Sequence, residues 1–156
     1  MPRKSYKSRT DLEKIESQWW KLSGLHTREE WSAAVIRAAT AAEIAANLAI
    51  RAEYQSRSKF DSAFVDSMLR WANGITGKFD RLLKPLWEGQ PDKSKHLKPL
   101  KNLVEKVNDR RNAIAHAGEF CNQKEAEAVI DHAEKLIVGL IALYEPKFKL
   151  KRPSKA

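Results

Sequence analysis

The stretch from Arg28 to Ser56 holds no glycine and no proline and is dense in alanine, and this feature limits the chain's choice of fold more than any other. Alanine is the strongest helix former, and nothing in the run halts a helix once it has begun. One long helix is predicted. Its small side chains, among them Ala34, Ala38, Ala42, Ala45 and Ala49, let a second helix approach closely, which places it at the centre of a bundle.

Capping signals divide the rest of the chain. Thr10 with Glu13 forms a capping box ahead of Leu12, Ile15, Trp19 and Leu22, and Gly24 is expected to close that first helix. Thr27 with Glu30 reads as the box that opens the alanine-rich helix. Phe60, Phe64, Met68 and Trp71 carry the pattern into a third helix, which Gly74 and Gly77 interrupt before Phe79, Leu82, Leu83, Leu86 and Trp87. Beyond the turn-like Gly89 to Asp92, a fourth stripe (Leu97, Leu100, Leu103, Val104, Val107, Ile114) runs to Gly118, with Pro99 near its start. Asn122 with Glu125 opens a last amphipathic helix that repeats apolar residues from Ala126 to Tyr144 and stops at Pro146. No segment alternates as a strand would, and no internal repeat is evident. The expected fold is all-α, an up-and-down bundle of four long helices plus the N-terminal helix, forming one domain over residues 11–144.

Composition narrows the class. At 156 residues, 42% hydrophobic and 31% charged with 6 Gly and 6 Pro, the chain is outside the disordered and low-complexity classes. The longest uncharged apolar run, Leu136 to Tyr144, is too short to cross a bilayer, so no membrane span is expected. Residues 1–10 lead into no apolar signal core, and the single Cys121 has no disulfide partner, which favours a reducing cytoplasm.

The net charge of +9 lies at the ends. Residues 1–10 hold Arg3, Lys4, Lys7 and Arg9 with no acid, and residues 145–156 hold Lys147, Lys149, Lys151, Arg152 and Lys155 against Glu145. Removing those nine cations and one acid from the chain's 29 and 20 leaves a nearly neutral body of 20 and 19. Two flexible basic tails are expected, able to attract phosphate without reading sequence, or simply to keep the protein soluble.

Most catalytic templates find no match: there is no phosphate loop, no His-Glu-x-x-His and no cysteine pair. His116, Cys121 and His132 make a poor zinc set, and no metal or cofactor is expected. Cys121 reads as a buried thiol, and His26 and His96 as surface residues. The segment Asp109 to Gly118 is different, because Arg110, Arg111, Asn112 and His116 crowd the end of an otherwise amphipathic helix. Asn112 and His116 share a helix face, and Arg111, about 140° away, is long enough to reach His116. A guanidinium that grips phosphate, an imidazole that exchanges a proton near neutral pH and an orienting amide meet the needs of phosphodiester cleavage. The same groups also serve to satisfy helix carbonyls, pair across an interface or cap the helix end. Both uses are open at this level.

The run Arg111, Asn112, Ala113, Ile114, Ala115, His116 resembles the signature of the HEPN superfamily (higher eukaryotes and prokaryotes nucleotide-binding domain). Its setting, at the end of the penultimate long helix and before a glycine-containing turn, is similar too, over about residues 27–144. The resemblance implies a metal-independent endoribonuclease, toxin-like or defence-associated, whose cleft is shared by two protomers. His116 would move the 2′-hydroxyl proton, Arg111 would stabilise the phosphorane-like transition state and Asn112 would orient them. RNA would then end in a 2′,3′-cyclic phosphate and a 5′-hydroxyl. The family's early acidic or polar position is matched by Glu43 with Asn47, and Arg110 is a further supporting candidate. Non-catalytic members imply an alternative, a dimerising module bound to a nucleotidyltransferase or another partner, such as a cognate antitoxin.

Overall fold

A computed structural model describes residues 4–58, 60–72 and 74–150. Every regular element among them is helical: α1 (Asp11–Thr27), α2 (Trp31–Arg57), α3 (Ser62–Trp71), α4 (75–87), a single turn α5 (Pro91–Ser94), α6 (Leu97–Ala117) and α7 (Gln123–Ile141). The all-α expectation therefore holds.

Two of the three expected capping boxes are present. In each, the side chain at the helix start accepts the Glu amide three residues on, and that Glu accepts the first residue's amide in return (Thr10 with Glu13, Asn122 with Glu125). The Thr27–Glu30 box does not form. Helix α1 runs through Gly24 to Thr27, so the Thr27 hydroxyl donates to the Ser23 carbonyl at 2.9 Å and Glu30 makes no side-chain cap. The reversal into α2 is made instead by Glu29, which has φ of 61°. The left-handed region costs a residue with a Cβ about 1–2 kcal/mol, of which glycine's extra chain entropy would cancel part. Glu29→Gly should therefore raise stability by about 0.5–1 kcal/mol, seen as a higher denaturant midpoint at unchanged slope. An unmoved midpoint would mean that the turn carries no strain.

Helix α2 is central, packed against α1, α6 and α7 and touching α3 and α4. Ala34, Ala38, Ala41, Ala42, Ala45, Ala46 and Ala49 are all buried in those contacts. The sequence predicts no membrane span from its apolar runs, yet α2 is long and apolar enough to cross a bilayer, with a mean hydropathy of 1.4 in its most apolar window. More than half of that window is covered by neighbouring helices. Helix α7 lies close to α6 at Gly139, where an added Cβ would fall 2.9 Å from Leu100 Cδ2.

The third helical segment is broken, as Gly74 predicts, but Gly77 lies inside the continuing helix. Helix α4 comprises Ile75–Gly77, a π-helical stretch Lys78–Leu83 and Lys84–Trp87. Pro85 has no N–H for the carbonyl one turn back, and the wider turn falls immediately before it. In α3 the buried residues are Val65 and Leu69, while Phe64 and Trp71 face solvent and Phe60 precedes the helix.

At the far end of α2, Glu53 is 1% exposed and receives four partners. Lys93 Nζ lies 2.5 Å from Oε1, the Tyr144 hydroxyl donates to Oε1 at 2.7 Å, and Gln90 Nε2 and Arg57 Nη2 reach Oε2, each at 3.1 Å. Trp87 Nε1 donates in turn to the Tyr144 oxygen at 2.8 Å. This network joins α2, α4, α5 and the turn after α7. The core also continues past residue 144, because Phe148 and Leu150 pack against it.

Candidate active site

Helix α6 ends where Gly118, at φ 67°, turns the chain and the Ala113 carbonyl accepts the amides of Gly118 and Glu119. About two turns earlier the Arg111 side chain reaches along the helix, and its Nη1 donates to His116 Nε2 at 3.1 Å and to Asn112 Oδ1 at 3.2 Å. The three motif residues thus meet within one chain. Because a guanidinium only donates, His116 uses Nε2 as an acceptor here and carries its proton on Nδ1. Arg111 and Asn112 are half-buried and His116 is exposed, so a ligand can reach the imidazole from solvent. His116 is the basic residue of the last turn, at the carbonyl end of α6.

Arg110 is not part of this group. About 100° round the helix from Arg111, its guanidinium pairs with Glu125 and with Glu119, at 3.3 Å, and donates to the Phe120 carbonyl at 3.4 Å. It fastens the turn that joins α6 to α7. Glu125 is held below the ordinary carboxylate range, chiefly by the backbone amide of Asn122 and further by Arg110. Cys121, buried in the same turn, gives its amide to Ser32 Oγ at 2.9 Å. The turn is therefore tied to both α2 and α7.

Glu43 and Asn47 are also apart from the motif. Glu43 Oε1 accepts from Lys78 Nζ at 2.7 Å, an ion pair that closes α4 onto α2, and Lys78 is itself buried. Asn47 Oδ1 is buried and has no hydrogen-bond partner among the described residues. Neither residue bonds to Arg111, Asn112 or His116.

Several sequence readings end in packing. His26 lies in the last turn of α1 with Nε2 3.3 Å from Glu127 Oε1 and its ring edge-on to Trp31, so it ties α1 to α7 and α2. His132 lines a shallow groove of about 470 Å³ between α6 and α7 together with Lys106, Asp109, Arg110, Glu125 and Val129. Burial, and then the Lys106 charge, lower its pKa from the ordinary value. No group of three or more His, Cys, Asp or Glu side chains is placed to hold a metal ion among the described residues, and His116, Cys121 and His132 are not gathered.

The N-terminal basic residues are partly engaged. Arg9 donates to Ser17 Oγ at 2.6 Å and Lys4 pairs with Glu13 at 3.3 Å, while Tyr6 accepts from Gln18 Nε2 at 2.8 Å. Residues 4–10, read from the sequence as a flexible tail, thus lie along α1. Lys147 and Lys149 flank the packed Phe148, whereas Arg3, Lys151, Arg152 and Lys155 fall outside the described residues. The exposed Phe120 was not singled out by sequence reasoning; it is 88% exposed beside the motif, and no periodic signal marks a lone aromatic in a turn.

Compared with known proteins, the chain matches no family model, no curated protein and no solved structure, so the functional reading rests on the chemistry of Arg111, Asn112 and His116.

Proposed function

We propose that this protein is a metal-independent endoribonuclease that leaves 2′,3′-cyclic phosphate and 5′-hydroxyl ends. The carrying observation is the direct contact of Arg111 with His116 at a solvent-facing helix end, with Asn112 on the same guanidinium. In the resting arrangement Arg111 occupies the Nε2 lone pair of His116. A substrate phosphate is a charge-assisted and bidentate acceptor, hence a better partner for the guanidinium than a neutral ring nitrogen. Its arrival would draw Arg111 away and free Nε2 to take the 2′-hydroxyl proton. The 2′ oxygen then attacks phosphorus, Arg111 stabilises the added negative charge, and the 5′ oxygen departs and is protonated. Asn112 holds the fork in plane.

One Arg–His pair offers a single proton carrier, whereas cleavage needs a base and an acid. Two copies meeting at this surface would supply both. We therefore read the chain as an up-and-down bundle, with α2, α4, α6 and α7 as its long members and α1 added, that dimerises at the end of α6. Light scattering at micromolar concentration should give about twice 17.8 kDa. A monomer mass unchanged by added RNA would remove the shared site.

The reading is tested by incubating total RNA with the protein in EDTA and identifying the product ends. Absence of cyclic phosphate would overturn it. A second reading, a non-catalytic module binding a protein partner, draws on Phe120: a large apolar ring held in solvent on a tied turn is an interface feature.

A further inference from the structure

The aromatic rings on α3 and just before it lie outside the core. Phe60 is 55% exposed, Phe64 46% and Trp71 70%, although a helix of ten residues could have turned such rings inward. Phe60 and Phe64 lie 4.7 Å apart between ring centroids, and Tyr54 joins them at 6.3 Å, so three rings form a continuous surface. At the other end of α3 the Arg81 guanidinium sits over the Trp71 ring, 5.9 Å from its centroid.

Among the described residues, the charges on α3 and α4 that lack an ion-pair partner are cationic. Asp66 is paired with Arg51 at 2.7 Å, Asp80 with Lys101 at 2.6 Å, and the Asp61 carboxylate caps α3 by accepting the Phe64 amide at 2.8 Å. Asp66 and Asp80 are thus neutralised by cations, whereas Asp61 is held by an amide and keeps its charge. Arg70, Arg81 and Lys84 are exposed and form no ion pair among the described residues. Arg81 lies over Trp71, Arg70 precedes that ring in α3, and Lys84 follows Arg81 by about one turn on α4.

Exposed aromatic rings beside unpaired cations have the chemistry of a platform for unpaired bases, with phosphates taken by the cations. We propose that the α3 face, with Arg81 and Lys84 of α4, is a binding surface for single-stranded RNA, separate from the Arg111–His116 site. A second copy meeting at this same face would set Arg70, Arg81 and Lys84 against like charges, and a protein partner would have to be acidic, whereas a nucleic-acid strand brings both the bases to stack and the phosphates to pair. The choice of RNA over DNA rests on the ribonuclease reading, since stacking does not sense the 2′-hydroxyl. The face would hold a strand while another part of it is cut.

The test uses full-length protein carrying His116→Ala, so that the probe survives, and a fluorescent oligouridylate 12-mer read by anisotropy. Adding Trp71→Ala should weaken binding about tenfold, and Phe64→Ala with Trp71→Ala further, at unchanged helicity because both rings are exposed. Trp71→Phe should restore most of the affinity. Converting Arg70, Arg81 and Lys84 to Gln should lower the slope of log affinity against log salt by about 2. Affinity within twofold of the parent in the double ring variant would overturn the proposal. So would ring variants that only turned a dimer into a monomer, and so would tighter binding to the deoxy 12-mer. The two readings fail separately. A wild-type protein that binds the probe through these rings but never cleaves RNA loses the nuclease and keeps the surface, and one that cleaves with the rings removed at full affinity does the reverse.

Discussion

His116→Ala should lower RNA cleavage in EDTA by at least about 10²-fold while leaving the protein folded, because general acid–base groups contribute about 10² to 10⁴ in rate. His116 is exposed and lies one residue before the end of α6, so alanine there removes no core packing. Arg111→Lys should be almost as damaging. The bonds to Asn112 and His116 both come from Nη1, but a lysine ammonium cannot offer a phosphate the two parallel donors of the planar guanidinium. Asn112→Ala should cost less, since it loses orientation and keeps both chemical groups. Rates are to be read by single-turnover cleavage of a defined RNA, with circular dichroism as the fold control. If His116→Ala cleaved as well as wild type at an unchanged oligomeric state, the nuclease mechanism would be abandoned. Arg111, Asn112 and His116 would then be helix-end and interface contacts.

The second large effect is on stability. Glu53→Gln should destabilise the protein by about 3–5 kcal/mol, because removing one member of a buried ion pair leaves the other unpaired. Here Lys93, with most of its side chain covered, and Arg57 would both face a neutral amide. Burial pushes the Glu53 pKa up, but the hydrogen bonds from Lys93 and Tyr144 and the charges of Lys93 and Arg57 outweigh it and hold it below the ordinary value of 4.5. Its contribution is therefore complete above about pH 4.5 and is lost as pH falls through the lower folded-state value. The wild type should lose stability in that acid range, and Glu53→Gln should show a flatter profile. Tyr144→Phe, which removes the hydroxyl shared by Glu53 and Trp87, should cost about 1–3 kcal/mol. Urea unfolding from pH 3 to 7 reads all three. A double replacement of Glu53 and Lys93 by leucine should cost less than the two single changes together, and additivity would show that the pair is not coupled.

Features that depend on three or four neighbouring residues were legible in the sequence. The caps at Thr10 and Asn122, the left-handed Gly118 and the length of α2 belong to this class, since each is decided by local hydrogen bonds and backbone freedom. The meeting of Arg111 with His116 was legible for the same reason: both lie on one helix, within a side chain's reach.

Partners from distant parts of the chain were not. Its place in an early helix associates Glu43 with the motif, but its carboxylate pairs with Lys78 of α4. Arg110 adjoins Arg111 in sequence and bonds to Glu125 across the turn, because one residue rotates a helix face by about 100°. The Thr27–Glu30 signature was overridden when α1 found enough contact on α2 to continue through Gly24. Glu53 carried no mark of its role, since Lys93, Gln90 and Tyr144 come together round it only when α5 and the turn after α7 close over the end of α2. Likewise Phe60, Phe64 and Trp71 differ from core residues in no local property, and they are exposed because Val65 and Leu69 take the side of α3 that is buried as it packs on α2. The sequence alone determined which segments are helices and which residues within one helix touch. Tertiary structure decided which face of each helix is covered and which charges pair, because both depend on the approach of segments tens of residues apart.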